Sequence, residues 1–255
     1  MRALYTAATG MSAQQLKIEN IANNIANANT TGFKKVREGF EDLVYQQVAG
    51  RGATGDTMQI GGGARLASLS RDFRAGDTTI TSSPTDLLID GDGFFVVESP
   101  TGETLYTRDG HFRTDRDGNL TTQAGYMLQP NITVPEGGKI VIASDGTVSA
   151  ELQTEEGIEV VEIGNLTLAT FTNPEALQAA GGNFFRASLA AGEPRVGPPR
   201  ENGVGGVLQY ALEGSNVDVA EELVSMITAQ RGYELSSKVI QTADEMLQTA
   251  VNLRR

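Results

Sequence analysis

The chain has no cysteine and no tryptophan among its 255 residues, and a single histidine. Without cysteine there is neither a disulfide framework nor a thiolate metal site, and one imidazole, His111, cannot anchor a usual zinc site. The lack of thiols fixes no compartment, but it is compatible with a chain that passes unfolded through a narrow export channel. No apolar run approaches the roughly 18 residues of a membrane span, so no membrane insertion is expected. The start, Met1-Arg2-Ala3-Leu4-Tyr5, lacks the long apolar core and small-residue cleavage site of a secretory signal. The expectation is a cytoplasmic protein, or one exported by a route that cleaves no signal. Basic residues are scarce, 20 Lys/Arg against 32 Asp/Glu, for a net charge of −12. Residues 1–40 carry +3 and residues 217–255 carry −2, which leaves −13 to the middle. An acidic middle argues against phosphate-backbone binding, which needs clustered Lys/Arg, so no nucleic-acid partner is expected. It fits a solvated outer surface that resists nonspecific association. Opposite signs at the two ends modestly favour their pairing, although salt screens much of this.

What is present divides the chain into helical ends and a β-rich middle. Leu4, Met11, Ile18 and Ile25 fall seven residues apart, with Ala7, Gln14, Ile21 and Ala28 as a companion row. Val219, Met226, Tyr233, Ile240 and Leu247 repeat the spacing at the other end, beside a weaker row of Leu223, Gln230, Ser237, Asp244 and Val251. Apolar residues at this spacing form a narrow stripe that seeks a partner helix. Both ends carrying such stripes points to pairing of the ends with each other and with neighbouring copies, the design of an assembly subunit. A two-helix hairpin has little core of its own, so burial of Leu4, Met11, Ile18, Ile21, Ile25, Val219, Leu223, Met226, Ile227, Tyr233, Ile240 and Leu247 is expected between subunits, at roughly 1.5–3 kcal/mol for each fully buried side chain. In an isolated monomer these helices are expected to be partly disordered.

The first helix is expected over residues 3–28, about 39 Å long, with Gly10 inside it and Gly32 as a left-handed stop. The last is expected to start near Ser215–Asp218, where Asp218 with Glu221 and Ser215 with Asp218 match a capping box, and to run to about Leu253. Residues 33–48, with Phe33, Val36, Phe40, Leu43, Val44 and Val48, read as either extended or helical. Residues 49–66 read as a flexible glycine-rich loop, and Leu66 to Ile80 as paired strands around Arg74-Ala75-Gly76-Asp77. From Thr85 on, short apolar runs alternate with Asp-Gly turns at Asp90-Gly91, Asp109-Gly110, Asp117-Gly118 and Asp145-Gly146. These are strong hairpin cues and predict an antiparallel sandwich or barrel-like domain. The fold class is therefore α+β, with paired terminal helices around an antiparallel all-β domain. The expected division is a core helix over 1–32, an extended connector over 33–84, an outer β domain over 85–212 and a second core helix over 213–255.

Candidate chemistry is sparse. Asp115, Asp117 and Asn119 loosely match a calcium loop, but glycine stands at the fourth position and no Glu closes the loop, so a hairpin turn is the simpler reading. Asp86, Asp90 and Asp92 form an acidic cluster imaginable as a glycosidase pair acting on peptidoglycan, yet two of them precede glycines as turn residues do. No phosphate-binding glycine loop is present. No cofactor and no metal are expected, and no enzymatic activity. In the run from Asn20 to Asn29, Asn20, Asn23, Asn24 and Asn27 share one helix face. Asparagine is unfavourable in helices, so this face is expected to line an uncharged lumen or to bond a neighbour.

The segments Leu4-Tyr5-Thr6-Ala7-Ala8-Thr9-Gly10-Met11 and Asn20 to Lys34, with Asn20, Asn23, Asn24, Asn27, Asn29, Thr31, Gly32 and Phe33, resemble the flagellar axial family of rod and hook subunits. So do Gly91-Asp92-Gly93-Phe94-Phe95 and Tyr106-Thr107-Arg108-Asp109-Gly110 in the middle, and Ser215 to Val224, Ala229 to Glu234, Lys238-Val239-Ile240 and Ala243 to Leu247 at the end. The resemblance spans nearly the whole chain. It implies a structural subunit that self-assembles into the distal rod of the bacterial flagellar basal body, a stiff helical tube with terminal helices inside and the β domain outside. It further implies contacts with other rod and hook proteins and with the P-ring and L-ring bushing, and export through the flagellar type III apparatus without signal cleavage. By the same resemblance, residues 46–66, including Gly50, Gly55, Gly61 and Gly63, occupy the place of a segment that stiffens the rod relative to the hook. A proximal rod or hook subunit is the alternative within the family. A peptidoglycan hydrolase is the alternative from another class.

Overall fold

A computed structural model describes residues 2–43, 46–49, 57–154 and 157–252. The chain forms two compact units, one of residues 1–26, 36–71 and 218–255, the other of residues 27–35 and 72–217.

The helical unit holds helix α1 (Arg2–Ala26), strands β1 (Val36–Asp42), β2 (Gln46–Ala49), β3 (Thr57–Ile60) and β4 (Ala64–Arg71), and helix α2 (Val219–Asn252). The α2 start follows from its cap: Asp218 Oδ1 accepts from the backbone N–H of Ala220 at 2.8 Å and of Glu221 at 3.2 Å. α1 ends at Ala26, two residues before the expected stop, because the chain turns at Asn27, whose carbonyl accepts from Thr30 N at 3.1 Å. Residues 33–48, open between two readings in the sequence, are extended where described: β1 pairs antiparallel with β4, and β2 with β3. The expected loop over 49–66 thus contains strand at Thr57–Ile60 and from Ala64 on. The expected pairing within Leu66–Ile80 does not form, because β4 is taken by β1 through residues far upstream.

The β unit holds β5 (Thr78–Ile80), β6 (Leu87–Asp90), β7 (Phe94–Glu98), β8 (Thr104–Thr107), β9 (Phe112–Thr114), β10 (Leu120–Thr122), β11 (Met127–Gln129) and β12 (Lys139–Ile142). It continues with β13 (Thr147–Thr154), β14 (Gly157–Asn165), β15 (Leu168–Thr170), β16 (Gln178–Gly181), β17 (Phe184–Arg186), β18 (Arg195–Gly197), β19 (Gly206–Gln209) and β20 (Ala211–Glu213). All pairings are antiparallel. The main sheet runs β16-β17-β8-β7-β11-β10-β9, with β15 also on β7 and β18 beyond it. β12-β13-β14 form a second sheet, and β19-β6 and β20-β5 are pairs. β7 is central because it is apolar on both sides. Alternation sends Phe95 and Val97 into one core cluster with Leu87, Phe112, Leu128, Val148 and Leu168, and Phe94 and Val96 into another with Tyr106, Leu177 and Phe185. Edge-on rings fix both clusters, Phe95 to Phe112 at 5.1 Å and Phe94 to Phe73 at 5.2 Å between centroids.

The Asp-Gly turns at Asp117 and Asp145 close hairpins, β9-β10 and β12-β13. Asp109-Gly110 does not. β8 pairs with β7 and β17, whereas Gly110 O accepts from Leu87 N at 3.0 Å, so a distant strand captures the turn. Asp90-Gly91 likewise separates strands of different sheets, since β6 pairs with β19.

Candidate assembly interface

In the helical unit, α1 and α2 run antiparallel and approach closely through small residues. A Cβ on Gly10 would lie 3.5 Å from Ser236 Oγ, and one on Gly232 would lie 3.1 Å from Gln14 Cδ. Ala7, Ala13 and Ala229 are buried in the same unit, as is Ile21. Asn24 Nδ2 reaches Glu222 Oε2 at 3.4 Å. A seam of alanine and glycine brings the helix axes together but covers little apolar area. Of the large residues in the heptad rows, Ile21 is buried and the others are half-buried or exposed.

Their placement is as follows. Leu4, Met11, Ile18 and Ile25 are half-buried and Ile21 is buried. On α2, Met226 and Ile240 are half-buried, while Val219, Leu223, Ile227, Tyr233 and Leu247 are exposed. Spacing alone missed further exposed apolar residues, Tyr5 and Leu16 on α1 and Val224, Leu235, Val239 and Met246 on α2. Val224, Leu235 and Val239 lie off the heptad rows. α2 is therefore apolar on more than one side, and a helix apolar on several sides is built to be covered by more than one partner.

The asparagine run serves the chain itself. Asn24 is nearly sealed. Its Oδ1 accepts from Val36 N at 3.0 Å and its Nδ2 donates to Val36 O at 3.0 Å, so one amide side chain imitates a strand neighbour at the start of β1. Asn20 Nδ2 donates to the same carbonyl at 3.0 Å and also to Glu38. Both amides are therefore engaged within the chain, and Asn24 is turned inward. Asn23 is exposed and Asn29 is exposed, while Asn27 accepts from Thr30 Oγ1 at 3.2 Å.

The remainder of the signature belongs to the β unit. Thr31 O accepts from Asn183 Nδ2 at 2.9 Å. Gly32 is buried with φ +65°, and a Cβ there would sit 2.6 Å from the backbone N of Asp109. Phe33 is buried. Lys34, next in line, donates to Glu213 Oε1 at 2.6 Å and to Arg74 O at 2.7 Å. Arg108 Nη1 stands 3.5 Å from the other oxygen of Glu213. Burial pushes the Lys34 ammonium and the Arg108 guanidinium below their usual pKa, and Glu213 opposes both shifts. Sequence reading missed this triad, because its members lie far apart in the chain.

Of the glycines expected to stiffen the tube, Gly50 and Gly55 lie outside the described residues. Gly61 is exposed, and Gly63 has φ +119° and accepts from Leu43 N at 2.8 Å.

The candidate chemical residues are placed as follows. His111 Nδ1 lies 2.7 Å from Asp86 Oδ1, and Asp86 is buried while Asp90 and Asp92 are exposed. Asp115 and Asn119 close the β9-β10 hairpin, with Asp115 N donating to Asn119 O at 2.9 Å. A cleft of about 300 Å³ in the β unit has Arg108 and Asp92 as the ionisable groups of its lining, among Phe73, Phe94 and Phe171.

Three family descriptions match the chain: "Flagella basal body rod protein" over residues 4–34, "Flagellar hook protein FlgE/F/G D1 domain" over 88–150, and "Flagellar basal body rod FlgEFG protein C-terminal" over 208–253. The chain is 45% identical to the flagellar basal-body rod protein FlgG of Borreliella burgdorferi, over 100% of this chain and 99% of that protein. It is 44% identical to FlgG of Caulobacter vibrioides over the whole of both chains. Similarity to the flagellar hook protein FlgE of Brucella suis is lower, 25% over 98% of each.

Proposed function

The chain belongs to the FlgG family of flagellar basal-body rod proteins, and from that membership we propose that its exposed terminal helices are the surfaces by which it builds the distal rod. It is a structural subunit of the flagellar basal body. The observation that carries the proposal is the division of labour on α1 and α2. Small residues join the two helices within one copy, while Val219, Leu223, Ile227, Tyr233 and Leu247 stay exposed. Stacking of copies covers them and supplies the hydrophobic drive for polymerisation. The two helices form the inner wall of a tube, and the acidic β unit faces outward toward the P-ring and L-ring bushing. The subunit reaches the growing tip through the type III export apparatus without losing a signal peptide, and it contacts other rod proteins and the hook. Residues 46–66, with Gly50, Gly55, Gly61 and Gly63, stiffen the tube. The protein performs no catalysis.

Deleting the gene and imaging detergent-extracted basal bodies tests the position. Short rods without a distal segment or hook are expected. Complete rods bearing hooks would overturn it.

A further inference from the structure

The chain passes between its two units after Ala26, Lys35, Arg71 and Val217. Three of these crossings start from segments that one side chain ties together inside the β unit. Asn216 Oδ1 accepts from Lys35 N at 2.7 Å, and Asn216 Nδ2 donates to Asp72 O at 2.8 Å and to Arg74 O at 3.1 Å. A primary amide has two N–H donors and one acceptor oxygen, and all of them are engaged here. Main-chain bonds join the same segments around it. Asp72 N donates to Lys35 O at 2.9 Å, Gly32 N to Glu213 O at 2.8 Å and Gly214 N to Asp77 O at 2.7 Å. Glu213 Oε1 accepts from Gly76 N at 3.1 Å, and a Cβ on Gly76 would lie 2.2 Å from Gly214 O, so two of the segments meet backbone to backbone.

The chemistry of the position selects an asparagine. Aspartate keeps the acceptor for Lys35 N but cannot donate, and it sets a negative charge against two carbonyl oxygens. Leucine has nearly the same shape and leaves the three backbone groups without this partner. We propose that Asn216 is a positioning residue for the rod: it holds the three departing segments in register, so that load on the β unit is divided among three chain crossings and does not fall on one. Such load exists only in an assembled rod, so this role rests on the rod reading above.

Amide hydrogen exchange on the purified full-length chain compares Asn216→Ala with the native protein. Asn216 touches none of the N–H groups of Gly32, Asp72 and Gly214. They are nevertheless expected to exchange about tenfold faster together with that of Lys35, as when a shared hydrogen-bonded cluster opens, while the amides of β7 keep their rates. Acceleration confined to Lys35 overturns the proposal, because the bond is then a local one. Equal acceleration of the β7 amides overturns it too, by reducing the effect to general stability. Extracted basal bodies are then sheared through a narrow needle and scored by electron microscopy, beside bodies built from Val148→Ala, which truncates a buried residue of the β core. Broken rods are expected several times more often with Asn216→Ala than with native chain or Val148→Ala. Equal breakage overturns the division of load and leaves the rod assignment standing. If Asn216→Ala does not fold, Asn216→Asp is read in its place by the same outcomes, and if the variant builds no rods alone, rods of mixed native and variant chain are sheared.

Discussion

Lys34 and Glu213, separated by 179 positions in sequence, form an ion pair 2.6 Å long whose side chains are 0% and 2% exposed. The pair fastens the segment after α1 to the last strand before α2, both within the β unit. A buried pair adds little over a well-packed apolar pair, but breaking one by removing a single partner is costly.

Lys34→Met is therefore expected to destabilise the β unit by about 3 kcal/mol, the low end for breaking a buried pair, because Arg108 remains 3.5 Å from Glu213. Glu213→Gln is expected to cost more, since it removes the carboxylate that faces both sealed cations and leaves them only the more weakly acting Asp72 and Asp92. Urea denaturation followed by circular dichroism reads both. A Lys34→Met midpoint equal to the native one would refute the anchoring role.

That ion pair also marks where the sequence stops being legible. The helices, their heptad rows and the turns at Asp117 and Asp145 are readable because their causes are local: a 3.6-residue period, an Asp cap, an Asp-Gly corner. Asp109-Gly110 carries the same local cue and misleads, because Leu87 N competes for the Gly110 carbonyl from a strand more than twenty positions upstream. The rows likewise name apolar residues without saying which are covered. The buried seam takes Ala7 and Ile21 from the rows but also Gly10, Ala229 and Gly232, which stand outside them and whose value lies in close approach. The Asn20 and Asn24 side chains read as outward-facing because nothing local announces that Val36 will stand beside them.

Asp109 gives a pH-dependent prediction. Burial raises its pKa above 3.8, opposed by hydrogen bonds from the His111 backbone and from Thr31 and by the charge of His111, and reinforced by Asp86. The folded state thus holds this proton to higher pH than the unfolded chain does. The stabilisation is fully present below the unfolded pKa and is lost as pH rises through the folded value. Asp109→Asn removes the ionising group, so the variant is expected to be more stable than the native protein at neutral pH, with the gap closing as pH falls toward about 4, the unperturbed range of an aspartate. Paired denaturation curves across that range check the sign, and a gap that widens in acid would contradict it.

Gly232 tests the helix seam. Gly232→Ala gains about 1 kcal/mol of helix propensity, and its new methyl meets only the flexible end of Gln14 at 3.1 Å. Ala is expected to be neutral or mildly stabilising by thermal melting of the helical circular dichroism signal. Gly232→Leu places a branched side chain where the helices nearly touch, so it is expected to separate them and lower the melting temperature. Equal melting of the Ala and Leu variants would mean that α1 and α2 are not held at this spacing in solution.

The sharpest separation between folding and assembly comes from the exposed α2 residues. Leu223 and Ile227 lie one helical turn apart and are 48% and 51% exposed within one copy, so Leu223→Asp/Ile227→Asp removes only part of a buried side chain's internal packing at each position. Single substitutions cost about 0.5–3 kcal/mol in general, and for half-exposed positions the low end is expected, so the monomer stays folded with a modestly lower melting temperature. In the polymer proposed above the same positions are covered. Each lost apolar side chain removes about 1.5–3 kcal/mol of burial per contact, and each new carboxylate is desolvated at a repeated interface. The double variant is therefore expected to leave cells with truncated rods and no hooks, visible in extracted basal bodies, while the purified chain stays folded. Full-length rods built from a folded double variant would show that this face of α2 is not where copies meet.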